Sequence, residues 1–155
     1  MNPSFARLVE SLEPKFQALV KMVPVTYRTL PRQLPTGAIY LFSDGCKHLY
    51  VGRTNRLRQR LRGHCVPSGT HFTATFAFRL ARGATGKLTA SYSKAESRPA
   101  LLNNRAFASA FADAKRRIAS MDLRFDAESN PTLQALREIY AATVLHTPYN
   151  DFNTH

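Results

Sequence analysis

Apolar residues recur along this chain at two periods, and the period assigns most elements. Phe5, Leu8, Val9, Leu12, Phe16, Leu19 and Val20 return at steps of three and four. They predict a helix over residues 3–22, broken or bent at Pro14. Residues 23–36 hold Pro24, Pro31 and Pro35 and predict an extended connector. Ala38–Phe42 and His48–Val51 are short and rich in β-branched and aromatic residues, with Asp44-Gly45 between them; they predict a hairpin. Asn55 is a good cap for a helix carrying Leu57, Arg60, Leu61 and His64 on one face and ending near Gly63 to Cys65. Phe72, Ala74, Phe76, Phe78 and Leu80 alternate with Thr73, Thr75, Ala77 and Arg79, predicting a third strand over His71–Leu80. Residues 81–100, rich in Gly, Ser, Thr, Lys and Arg, predict a mobile basic loop able to reach over nucleic acid.

Asn103 or Asn104 caps a helix running to about Ser120, and Met121–Ala127 is a short strand. Asn130-Pro131 starts a strong helix through Leu133, Leu136, Ile139, Tyr140 and Val144 that stops before Pro148. The fold class is α/β (α+β), with a small, mainly antiparallel sheet of three or more strands flanked by helices. Residues 1–35 form the N-terminal helix and connector, and 36–155 the main domain, within one globular unit.

Charge narrows the function. The formal net charge is +12 and the pI about 10.4. Residues 46–112 hold twelve Lys or Arg against one acid, Glu96, so +11 of the +12 lies there. Such a block points to a polyanionic partner, most simply nucleic acid. Hydrophobic content of 44% excludes a disordered chain. No long apolar run or secretory leader is visible, and two cysteines, Cys46 and Cys65, fit a reducing cytoplasm.

Two hairpin registers are open. A three-residue loop Asp44–Cys46 pairs Ser43 with Lys47 and sets Tyr40 opposite Tyr50, both phenols on one face. A two-residue Asp-Gly turn, which that dipeptide favours, puts them on opposite faces. Gly37-Ala38-Ile39-Tyr40, nine residues, Tyr50-Val51-Gly52-Arg53-Thr54, an arginine and a histidine four apart, then Glu138 and Pro148-Tyr149-Asn150 resemble the GIY-YIG nuclease family over about residues 36–150. Ala38 and Val51 depart from the family pattern by apolar swaps. The resemblance requires the longer loop, and it is loosely closer to the restriction-enzyme branch.

What the resemblance implies is a metal-dependent DNA endonuclease. Tyr40 is then the candidate general base on the attacking water, and Tyr50 donates to a phosphate oxygen or orients that water. Gly52 allows close backbone approach to a phosphate. Arg60 braces the scissile phosphate, and His64 accepts from a tyrosine or relays its proton. Glu138 is the sole carboxylate for Mg²⁺ (or Mn²⁺), and Asn150 bonds within the site or to phosphate. Arg53, Arg56, Arg58, Arg62, Lys87 and Lys94 hold flanking DNA phosphates. Without the resemblance each residue has a plainer reading: core tyrosines, a structural histidine, a solvated glutamate, an Asx turn at Asn150. Gly83–Thr89 lacks the spacing of a phosphate-binding loop, and Cys46, His48, His64 and Cys65 lack that of a zinc finger. The rival classes are a non-catalytic nucleic-acid-binding module, and a repair or mobile-element nuclease acting on branched DNA. A homodimer is the simplest route to double-strand cutting, and no membrane partner is expected.

Overall fold

A computed structural model describes residues 1–86 and 97–153. They fall into two compact units, Met1–Gln59 with Met121–His155, and Arg60–Ser120. The first unit is built on a three-stranded antiparallel sheet in the order β2-β1-β3, with β1 at Ala38–Asp44, β2 at Lys47–Thr54 and β3 at Asp122–Ala127. Helices α1 (Pro3–Glu10), α2 (Leu12–Lys21) and α7 (Pro131–Leu145) complete it, and α3 (Leu57–Cys65) runs from the first unit into the second. The expected mixed class and small antiparallel sheet are therefore present, as are the strand near Met121–Ala127 and the Asn130-capped helix.

One face of the sheet is a core in which Ile39, Leu41 and Val51 meet Phe16 and Leu19 of α2 and Ala141 and Ala142 of α7. Each large aliphatic or aromatic side chain buried this way contributes ~1.5–3 kcal/mol. Asn130 caps α7 by accepting from the Leu133 amide at 2.9 Å, and Pro131 takes the first turn, where its missing N–H costs nothing. The N-terminal helix is broken, but at Ser11 rather than at Pro14. The proline's ring and missing N–H act on the turn before it, so α1 ends at Glu10 and Pro14 sits in the first turn of α2.

The hairpin uses neither simple register. Asp44 pairs with Lys47 across Gly45-Cys46, with Gly45 at φ +59°. Continued regularly, this two-residue turn would set Tyr40 and Tyr50 on opposite faces. The ladder shifts between Phe42 and Ser43: Ser43 pairs with His48 and Phe42 with Tyr50, leaving Leu49 as the extra residue of a bulge. The expected pairing of Tyr40 with Tyr50 is thus replaced by Tyr40 with Gly52. The bulge changes the parity back, so both tyrosines still share a face.

In the second unit the expected strand at His71–Leu80 is instead a helix, α4, Thr75–Thr85. Ala74, Ala77, Phe78 and Ala81 are all buried and spaced by three and four, a pattern the alternating phenylalanines hide. The basic loop expected at 81–100 is helical at both ends, since α4 runs to Thr85 and α5 spans Arg98–Asn103. Residues 87–96 lie outside the described residues. Helix α6 (Arg105–Ser120) begins as expected with Asn104, whose side chain accepts from the Phe107 amide. It packs on α4 through Phe78, whose ring lies 5.0 Å from Phe107 and 5.9 Å from Phe111. Lys115 is buried and donates to the Pro67 and Gly69 carbonyls at 2.6 and 2.8 Å, pinning the turn after α3.

Candidate functional site

The tyrosines come together on the sheet face opposite α2 and α7. Tyr40 and Phe42 alternate with Ile39 and Leu41, and Tyr50 and Gly52 are their cross-strand partners. The two tyrosine rings are 6.3 Å apart at 50°, and Phe42 sits edge-on to Tyr40 at 5.9 Å. Tyr40 is 1% exposed and Tyr50 9%. Gly52 is required by Tyr40 itself. A Cβ at residue 52 would stand 2.2 Å from Tyr40 Cζ and 2.3 Å from its Oη. The space over Gly52 that was expected to admit a phosphate is filled by the Tyr40 ring.

Glu138 approaches from the other side. Arg53 stands opposite Ile39, so its side chain leaves on the α7 face, where its Nε donates to Glu138 Oε2 at 2.9 Å. Arg53 is 46% exposed and Glu138 20%. Asn150 lies at the outer edge of β2. Its Oδ1 accepts from the Val51 amide and its Nδ2 donates to the Val51 carbonyl, both at 2.8 Å. Thr147 Oγ1 donates to the same Oδ1, and the Tyr149 amide to the Leu49 carbonyl. The chain after α7 therefore completes the free edge of β2. Across the first unit the motif residues wrap this edge strand, with the tyrosines on one face, Arg53 and Glu138 on the other, and Asn150 at the rim.

Two residues of α7 that the sequence reading passed over fix that helix. Arg137, 3% exposed, donates to Asp126 at 2.5 Å, to Glu128 at 3.3 Å and to the Ala127 and Lys15 carbonyls. Lys15 adds a second cation to Glu128 at 2.8 Å. Burial pushes the Glu128 carboxyl up, but the bonds from Lys15, the Asn130 amide and Arg137 prevail and hold it below the ordinary range. Gln134 donates to the Glu128 and Thr54 carbonyls and to Asn55 Oδ1, so Asn55 serves α7 two residues before α3 begins. The signal for Arg137 was its place in the stripe Leu133–Arg137–Ala141, where a charge must be paired.

Arg60 and His64 belong to the second unit. They are one turn apart on α3, as the spacing predicts. His64 is fully buried, and burial, with the Arg60 charge beside it, pushes its imidazole down to about 3. It is neutral at neutral pH. Arg56, Arg58 and Arg62 are exposed. Arg58 is already engaged, donating to the Arg32 carbonyl at 2.6 Å and the Pro31 carbonyl at 3.3 Å, and so tethers the proline-containing connector. Lys87 and Lys94 lie outside the described residues.

Among the described residues no three His, Cys, Asp or Glu side chains gather as a metal-holding group. Glu138, the carboxylate that the resemblance assigns to a cation, has one oxygen bonded to Arg53. One carboxylate suits Mg²⁺ when waters and a substrate phosphate supply the other ligands. Comparison with protein-family models, curated proteins and solved structures finds no match. No helix among the described residues is long and apolar enough to cross a membrane.

Proposed function

We propose that this chain is a metal-dependent endonuclease that hydrolyses DNA phosphodiester bonds in the GIY-YIG manner, with water as the nucleophile. The observation that carries the reading is the tyrosine pair: a bulge at Leu49 brings Tyr40 and Tyr50 onto one face despite a two-residue turn. Packing alone does not require a phenol at both positions. Beside them Asn150 holds β2 by its backbone, so its part is to position Tyr50 and Gly52.

In this reading Tyr40 takes the proton of the attacking water, and the more exposed Tyr50 contacts phosphate. The resemblance assigns Arg60 to the scissile phosphate and His64 to hydrogen bonding with a tyrosine. Glu138 is the residue that would hold Mg²⁺ or Mn²⁺. When bound, the ion supplies positive charge to the developing transition state. Arg53 occupies that carboxylate otherwise, so cation and DNA phosphate are expected to bind together, with Arg53 released to the backbone. Arg56 and Arg62 are exposed and suit flanking phosphates. A homodimer remains the simplest arrangement for cutting both strands, and the free cysteines Cys46 and Cys65 support a reducing, cytoplasmic setting.

The competing reading is a non-catalytic nucleic-acid-binding module. It draws on the Arg53–Glu138 ion pair and on the near-complete burial of Tyr40. Supercoiled plasmid with Mg²⁺ separates the two. The nuclease nicks or linearises it, EDTA stops the cutting, and Glu138→Ala and Tyr50→Phe lower the rate at least a hundredfold while retaining plasmid binding. Binding by wild type with no cutting in Mg²⁺ or Mn²⁺ would establish the module for duplex DNA.

A further inference from the structure

Phe78 of α4 carries cations as well as core aromatics. The Arg82 guanidinium carbon lies 4.7 Å from its ring centroid and that of Arg98 lies 5.6 Å from it. Two donors of Arg82, Nε and Nη2, are buried without a hydrogen-bond partner. They lie on one side of the guanidinium and form the pair that meets two oxygens of an oxyanion in parallel. A buried donor left unsatisfied is costly, and native structures seldom keep two on one group without a reason. Burial, then the charges of Arg98 and Arg79, all disfavour the Arg82 cation, and among the described residues no carboxylate offsets them.

An aromatic step adjoins it. The His71 ring lies 6.3 Å from Phe78 and only 4.0 Å from Phe72, whose side chain is 72% exposed. His71 thus links the exposed Phe72 to the Phe78 ring that carries both arginines, and an exposed aromatic ring with arginines further along the same surface offers single-stranded nucleic acid a base platform and a phosphate contact.

We propose that the second unit carries a phosphate site built on Arg82 and Arg98 that binds the backbone of an unpaired nucleic-acid strand, with a base stacked on Phe72. The site is separate from the tyrosine pair and does not depend on the nuclease reading. A free phosphate ion offers the same oxygens but no base.

The test is fluorescence anisotropy of a labelled oligothymidylate in EDTA, with wild type, Arg82→Gln, Arg98→Gln and Phe72→Ala. Each arginine variant is expected to weaken binding about fivefold and to lower the salt dependence by about one contact. Phe72→Ala is expected to weaken it about five- to tenfold, and an abasic strand to bind wild type no better than the oligothymidylate binds Phe72→Ala. EDTA removes any metal-dependent cleavage, so affinity read in this way stands apart from failure of the nuclease reading. Arg98 and Phe72 are exposed, so those two variants decide the matter if Arg82→Gln does not fold. Unchanged affinity in folded Arg98→Gln and Phe72→Ala overturns the proposal. Inorganic phosphate raising the melting temperature of wild type but not of Arg98→Gln, with oligonucleotide affinity equal in both, also overturns it and leaves a site for the free ion.

Discussion

At the residue scale the tyrosine face depends on a missing side chain. Tyr40 Cζ, Oη and Cε1 all fall within 2.8 Å of where a Cβ on Gly52 would be. The ring cannot yield, because it is buried between Phe42 and Tyr50. Gly52→Ala is therefore expected to cost about 3 kcal/mol, at the upper end of overpacking penalties. In a Tyr40→Leu background the three offending atoms are gone, and the same substitution should cost under about 1 kcal/mol. Urea denaturation of the four proteins measures the coupling. Equal costs in both backgrounds would mean that Tyr40 does not lie over Gly52. The sequence showed the glycine and both tyrosines, but a cross-strand ring over a glycine depends on register, which the sequence left open.

At the element scale β2 is an edge strand of the sheet and the one around which the first unit's motif residues gather. Asn150 gives Val51 the two bonds a neighbouring strand would give. Asn150→Ala is expected to leave that amide and carbonyl to water, costing about 1–2 kcal/mol. Amide exchange should locate the loss, with Val51 exchanging at least tenfold faster and the β1 amides that bond β3 little changed. A uniform change would point to global destabilisation instead. The elements differed in legibility for physical reasons. The helices after Asn104 and Asn130 announce themselves by caps and a helical apolar period. The bulge does not, because one extra residue changes no composition and nothing about Leu49 marks it as the one left out of the ladder. Helix α4 was misread because Phe72, Phe76 and Phe78 imitate alternation, while Ala77 and Ala81, small and ambiguous, carry the helical period.

For the whole molecule the buried titratable groups set a response to acid. His64 has an ordinary imidazole value in the unfolded chain and about 3 in the folded one. The folded state thus excludes a proton that the unfolded state accepts. Its contribution is complete above pH ~6.5, declines as pH falls toward 3 and levels off below, amounting to ~5 kcal/mol at most. Glu128 adds loss at the acid end, since its folded carboxyl is held below the ordinary range and must be protonated away from Lys15 and Arg137. Stability measured by urea at a series of pH values should fall by roughly one proton's slope between pH 6 and 4.5, and more steeply below. His64→Gln should remove about one proton's slope between pH ~6.5 and 3 and leave the further loss below pH ~4.5 that Glu128 adds. If the upper slope survives in a folded His64→Gln, another group is its source, and His48, whose value burial and then Arg124 also lower, is the next to replace. The same profile bears on function. A His64 that stays neutral throughout the folded range can exchange hydrogen bonds with a phenol but cannot supply a standing positive charge to DNA. Under the proposed nuclease reading, plasmid cutting should then show no rise in activity attributable to imidazolium as pH falls from 8 to 6.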